Sequence, residues 1–170
     1  MKRLACSPMS AEAFAAFGTL IDPAGAPAEL INSATTRRYS DLARLDLRGP
    51  GTDPALSIYE ASAREFPLRL TKLERHLQAG QVFLPLGRHC FIVVVAPGDA
   101  MPAALPAWQQ VSAFITRPGQ GISLRRGCWH HGLIALGDGD RFAVIDGGNY
   151  RADTEEVDSP LLLELEAPDR

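Results

Sequence analysis

From about residue 54 to residue 148 the chain is a succession of short alternating or β-branched runs, each stopped by a cluster of turn-forming residues. The stops are Gly87-Arg88, Pro97-Gly98-Asp99, Arg117-Pro118-Gly119-Gln120 and Gly137-Asp138-Gly139-Asp140. The runs between them predict strands at 56–60, 68–76, 81–86, 90–96, 110–116, 121–125, 133–136 and 142–146. So many short strands must dispose of their edges, which a sandwich, jelly roll or closed barrel does. The expected fold class is therefore all-β.

Only one helix is expected, over 10–18. Ser10 supplies an N-cap, Glu12 an acid in the first turn and Gly18 a stop. The Pro/Gly-rich stretch 22–28 reads as a loop, and so does 97–107. At 170 residues the chain fits a single domain, 1–170, with the barrel at about 54–148 and a C-terminal tail at 149–170. That tail is acidic and then apolar at Leu161-Leu162-Leu163-Glu164-Leu165, a composition suited to packing on the barrel or on a partner subunit.

Composition narrows the function classes. Apolar residues make up 46% and charged residues 22%, so disorder and fibrous repeats have no compositional support. A net charge of −3, with no dense basic block, argues against a nucleic-acid partner. The longest apolar run, 91–96, is far short of the roughly 20 residues that a spanning helix needs, so no membrane partner is expected. Lys2 and Arg3 precede Leu4-Ala5-Cys6, but the apolar stretch of a signal peptide is missing and Ser7-Pro8 follow at once, so the N-terminus reads as mature and cytoplasmic. Cys6, Cys90 and Cys128 are odd in number and far apart, which favours reduced thiols over a disulfide framework or a thiolate zinc site.

The strand at 68–76 carries the first hint of chemistry. Strict alternation puts Leu68, Leu70, Lys72, Glu74 and His76 on one face, and if the leucines point inward so do Glu74 and His76. A carboxylate and an imidazole two residues apart on an inward face converge on one metal or one small substrate. The alternative is a Glu/His surface pair at an exposed strand end.

Spacing adds to this. Glu74-x-His76-x4-Gln81-x5-Gly87 has the outline of the first cupin motif, and Gly119-x5-Arg125-x-Gly127-x2-His130 that of the second. Together, in this order, they resemble a cupin-like double-stranded β-helix, a jelly-roll barrel that brings both motifs around one cavity. In cupins the matching positions bind a divalent metal, which implies Glu74, His76, Gln81 and His130 as ligands here. Glutamine is a weaker donor than the usual glutamate, so such a metal would be held less tightly.

Longer stretches sharpen the likeness: Leu73-Glu74-Arg75-His76, Gln81 to Leu86, Val93 to Asp99, Ala113-Phe114-Ile115-Thr116 and Trp129-His130-His131. With Ser10 to Phe14, Ile31-Asn32 and Arg38 to Leu42, the series is similar to the ureidoglycolate lyase family, formerly called ureidoglycolate hydrolase. The resemblance covers most of residues 1–147. It implies a dimeric cupin-like enzyme of allantoin breakdown that splits (S)-ureidoglycolate into glyoxylate and urea. Nickel is the cation the family implies, with manganese or zinc as alternatives. Family members often have a histidine where Arg125 stands and an arginine after the aspartate matching Asp146, where this chain has Gly147.

Ureidoglycolate is a hemiaminal, so cleavage must remove the hydroxyl proton and protonate the departing urea nitrogen while the carboxylate is held still. His130 and His76 are the candidate proton carriers, and Glu74 either orients one of them or acts as the base. The carboxylate calls for a planar fork. Arg125, which occupies a motif position, is the first choice and Arg38 the second, while Arg75 has the wrong strand parity. Asn32 is a candidate for the ureido group and Lys72 for a cationic contact. His131 is left for structural hydrogen bonding, Trp129 for core or pocket wall, His89 for the surface and Asp146 for a turn. Two other readings compete with the lyase: a non-catalytic cupin that binds a small carboxylate, and a metal-dependent cupin oxygenase or isomerase. The last calls for a fuller ligand set, such as two histidines and a carboxylate for iron, and ranks below the other two.

Overall fold

The computed structural model describes residues 1–98 and 105–168. Asp99 and the 99–104 part of the expected loop lie outside the described residues. The N-terminal stretch contains β1 (Lys2–Leu4), β2 (Cys6–Pro8), the one-turn helix α1 (Ala11–Phe14) and β3 (Gly18–Ile21). A hairpin of β4 (Glu29–Ile31) and β5 (Thr36–Arg38) follows. The barrel strands are β6 (Ala55–Ala61), β7 (Leu68–His76), β8 (Gln81–Pro85), β9 (Phe91–Ala96), β10 (Ser112–Ile115), β11 (Gly121–Leu124), β12 (Trp129–His130), β13 (Ile134–Ala135) and β14 (Asp140–Asp146). Last come α2 (Tyr150–Asp153) and β15 (Thr154–Leu165).

Two sheets face each other. One has the order β1-β15-β7-β12-β9-β10-β2, with β13 also on β9, and the other β3-β11-β8-β14-β6. Going along the chain, β7, β8 and β9 alternate between the sheets, as do β11, β12 and β14 after the β9–β10 hairpin. This alternation is the winding of the expected cupin-like barrel. An apolar cluster that includes Phe83, Val93, Val95, Phe114 and Val144 fills the space between the sheets. A second cluster, including Leu70, Val94, Trp129 and Leu163, covers the other face of the larger sheet. That double burial is why β9 reads as the uninterrupted run Phe91–Ala96 rather than as an alternating one.

Three expectations need correction. The helix at 10–18 is only Ala11–Phe14. Ser10 does cap it, its Oγ accepting from the Ala13 N–H at 3.1 Å, but Gly18 opens β3 instead of ending a helix. β3 pairs so tightly with β11 that a Cβ on Gly18 would sit 2.0 Å from the Ser123 carbonyl oxygen. The barrel is also not bounded at 54–148, because β1, β2 and β3 add to its sheets. Nor is 149–170 a tail that rests on the outside. Thr154–Leu165 is the longest strand described, and it lies between β1 and β7.

The premise for the facing of β7 fails as well, although its conclusion holds. Leu68 and Leu70 pack in the outer cluster together with Leu73, three residues on, so alternation breaks between them. The break falls where the β15 ladder is irregular, since Lys72 pairs with Asp158 but Leu70 pairs with Leu163. Past it, Leu73 and Arg75 turn outward while Glu74 and His76 line the interior cavity.

Candidate functional site

β7 enters the site from the larger sheet and β8 from the smaller one, and between them lies an open cavity of about 540 Å³. Glu74 and His76 of β7 and Gln81 and Phe83 of β8 line it, opposite Gly132 and Leu133. β12 is only two residues long and is wedged between β7 and β9. Its His130 pairs with Glu74 on one side and with Val95 on the other, and stands just behind the cavity wall. The turn into β12 depends on Gly127, whose φ of +77° favours glycine and whose N–H donates to the His76 carbonyl at 2.7 Å.

Glu74, His76 and His130 each present a donor atom within 4.8 Å of the others. The His130 Nε2 lies 3.6 Å from the Glu74 Oε1, and the two imidazole rings are 5.3 Å apart. Because a carbonyl only accepts, the His130 Nδ1 donates to the Cys128 oxygen at 3.0 Å, which leaves Nε2 with the lone pair aimed at the cluster. The His76 Nδ1 meets the Thr154 Oγ1 at 3.3 Å. The Nε2 atoms of both histidines and the Gln81 Oε1 are buried and have no hydrogen-bond partner. Orphaned acceptors of this kind are costly unless something cationic or protic satisfies them.

The electrostatics point the same way. Burial pushes His130 down to about 3, with the neighbouring His76 adding to the effect. Burial also lowers His76, against Asp153, Gln81 and Asp146, which favour its charged form. Glu74 is raised by burial and then by the field of Glu156. Neutral imidazoles beside a carboxylate form a donor set that fits a divalent cation. At tetrahedral bond lengths of about 2.1 Å, ligand atoms sit roughly 3.4 Å apart, close to the observed His130–Glu74 separation of 3.6 Å.

The structure therefore brings together Glu74, His76, Gln81 and His130. It does not bring in the expected arginines. Arg125 is exposed, and Arg38 lies exposed on the β4–β5 hairpin, where its Nε donates to the Ser40 Oγ at 2.7 Å. Asn32 is exposed too and sits in a turn, its carbonyl accepting from the Thr35 N–H. Lys72 stands at the rim, where its Nζ donates to the Glu156 Oε1 at 2.7 Å.

The remaining residues sort themselves by packing. Arg75 is fully buried on the far face, with its guanidinium 4.4 Å from the Trp129 ring centroid and bonded to Glu155. His131 bonds the Gly132 carbonyl through Nδ1, and Asp146 caps the Gly148 N–H in a turn. His89, expected at the surface, is mostly buried against Phe142 beside Asp140. Of the polar lining residues that the sequence did not single out, Tyr59, Thr154, Glu156 and Arg151 of α2, Arg151 is the cation. Its only signal was a lone cation in an otherwise acidic stretch.

A cupin-like barrel that gathers two imidazoles and a carboxylate beside one cavity defines the class: a small-molecule enzyme with a site suited to a divalent metal. That set also meets the two-histidine, one-carboxylate requirement set above for an iron oxygenase, so the ligands alone do not separate the two chemistries. Sequence comparison does. A family model described as ureidoglycolate lyase matches residues 1–165, and the chain belongs to that family. It is 41% identical over 167 residues to a ureidoglycolate lyase of Rhodobacter capsulatus, covering 98% of this chain and 99% of the relative. It is 39% identical over 169 residues to one of Pseudomonas aeruginosa strain LESB58, covering 96% and 97%. A Burkholderia mallei strain NCTC 10229 relative of the same name is 38% identical over 165 residues, covering 97% and 94%.

Proposed function

We propose that the protein is a carbon–nitrogen lyase that cleaves (S)-ureidoglycolate to glyoxylate and urea in allantoin degradation, acting in the cytoplasm as a homodimer. The observation that carries this reading is the convergence of Glu74, His76 and His130 beside a cavity of the right size for a small anion, in a chain of this family.

Glu74, His76 and His130, with Gln81 beside them, would hold the cation. Two nitrogens and two oxygens form a borderline donor set, suited to nickel and also to manganese or zinc. When bound there, it would supply Lewis acidity that makes the substrate hydroxyl easier to deprotonate. The Glu74 carboxylate oxygen that does not hold the cation accepts the hydroxyl proton. The electrons of that O–H bond form the aldehyde C=O, and the C–N bond breaks with its pair moving to nitrogen. Glu74 then returns the proton to the urea nitrogen, so the reaction consumes no water and no redox equivalent. His130 keeps its lone pair directed at the cluster because Cys128 holds its other nitrogen. Phe83 and Leu133 keep the inner wall apolar, which strengthens each of these interactions.

The test is glyoxylate release from ureidoglycolate above the spontaneous background, before and after chelation and after adding back nickel, manganese or zinc. Turnover to glyoxylate plus urea, lost with chelator and restored by a cation, is expected. Release of ammonia in place of urea, or no turnover with any cation, overturns the reading.

A further inference from the structure

Among the described residues, Arg151 is the one arginine or lysine lining the cavity, where His76 is held toward its neutral form by burial. The lining also carries Glu74 and Glu156, so two carboxylates oppose one guanidinium. Lys72, paired with Glu156, is not part of the lining. Apart from the cation proposed above, Arg151 is therefore the described lining group that attracts an incoming carboxylate.

Arg151 is also held in place. It belongs to α2, and two residues later the Asp153 carboxylate accepts from the N–H groups of Leu77, Gln78 and Ala79 at 2.9, 2.7 and 3.2 Å. Those are the three residues that follow His76. Thr154 comes next, opposite His76 in the β15–β7 ladder and touching its ring. The segment that bears Arg151 is thus clamped to the end of the strand that bears His76. The exposed Arg151 side chain thus starts from a fixed backbone beside the cavity, and its planar fork binds a carboxylate more selectively than an ammonium does.

We propose that Arg151 is the substrate-carboxylate anchor. It grips the carboxylate so that the neighbouring carbinol carbon lies at Glu74 and His76, and it makes the cavity selective for small 2-substituted carboxylates over their neutral amides. This assignment rests on the proposed lyase reading for its substrate.

The experiment compares wild type with Arg151→Gln and Arg151→Lys in three measurements: KM and kcat for ureidoglycolate, calorimetric binding of glycolate against glycolamide, and affinity for Mn²⁺. Arg151→Gln is expected to raise KM and weaken glycolate by about tenfold or more, with a smaller change in kcat and Mn²⁺ affinity within about twofold. Arg151→Lys, which keeps the charge and loses the fork, should recover part of the loss. Unchanged glycolate binding in Arg151→Gln overturns the anchor, as does a parallel collapse of Mn²⁺ affinity, which would make Arg151 a support for the donor cluster. If wild type fails to cleave ureidoglycolate but prefers glycolate to glycolamide, and Arg151→Gln abolishes that preference, the anchor stands and the substrate reading falls. Wild-type turnover with an unchanged KM in Arg151→Gln removes the anchor and leaves the lyase intact.

Discussion

His130 and Glu74 face each other directly across the β12–β7 ladder, and the imidazole Nε2 sits 3.6 Å from the carboxylate Oε1. A strand of two residues, held between β7 and β9, is enough to fix this pair because backbone pairing sets its position on both sides. The donor cluster is thus built into the sheet itself and does not depend on a loop.

Replacing His130 should therefore separate chemistry from folding. His130→Ala is expected to lower kcat by about 100-fold or more and to abolish tight divalent-metal binding, with the far-UV circular dichroism unchanged. Near-normal turnover in a well-folded variant would remove His130 from the machinery.

On the opposite face of the same strand pair, Arg75 contributes to stability. It is fully buried over Trp129, whereas its partner Glu155 is about half exposed. Arg75→Ala should cost about 2–4 kcal/mol, and Glu155→Ala only about 1 kcal/mol, because solvent screens the exposed carboxylate. Urea denaturation of both variants checks the ranking, and equal losses would mean that the ion pair, not the stacking, is what matters.

Acid should destabilise the metal-free protein well before general acid denaturation. The unfolded chain protonates His130 near its ordinary 6.5, while the folded chain resists until about 3. Its contribution is thus complete above about 6.5 and is lost as pH falls toward 3, and His76, also lowered by burial, acts in the same direction. Glu74, raised from 4.5, opposes them just above that value because the folded carboxyl takes its proton first. His131, likewise lowered by burial, adds to the two histidines, so Tm in chelator should fall between pH 7.5 and pH 5, about the unfolded histidine value. A flatter slope is expected in His130→Phe. A wild-type Tm that is level or rises on acidification would contradict the buried neutral histidines.

Assembly has its own test. β6 is an outer strand of the smaller sheet and exposes Leu56 and Ile58 side by side on alternate positions. An exposed apolar edge invites pairing. Light scattering should give twice the chain mass, and Leu56→Asp with Ile58→Asp should halve it. A wild-type monomer, or a double variant that stays dimeric, would rule out this edge.

Legibility from sequence followed the regularity of each element. β7 was readable with its bounds because nine residues of mixed polar and apolar sequence run unbroken by Gly or Pro between Pro67 and Gly80. The cluster Glu74, His76, Gln81 and His130 was reachable because motif spacing survives even where alternation does not. β15 was hidden by its acid-rich start and by a bulge between Asp158 and Leu163 that destroys the two-residue period. β1 to β3 were too short, at three or four residues, for any period to show. Arg151 escaped because a one-turn helix carries no periodic signal, and Arg125 misled because matching a motif position does not fix which way an exposed side chain points.

The place of β15 between β1 and β7 bears on how the protein is made. The strand that carries Glu74 and His76 finds one of its two neighbours about eighty residues downstream, as the pairing of Arg75 with Glu155 shows. During synthesis that edge waits unpaired while the intervening chain emerges, a long-range closure that slows folding and exposes apolar strand to other nascent chains. A ribosome stalled before residue 154 would thus hold Glu74 and His76 at the open edge of the sheet, and the cavity would gain its Thr154 and Glu156 wall only once that strand arrived.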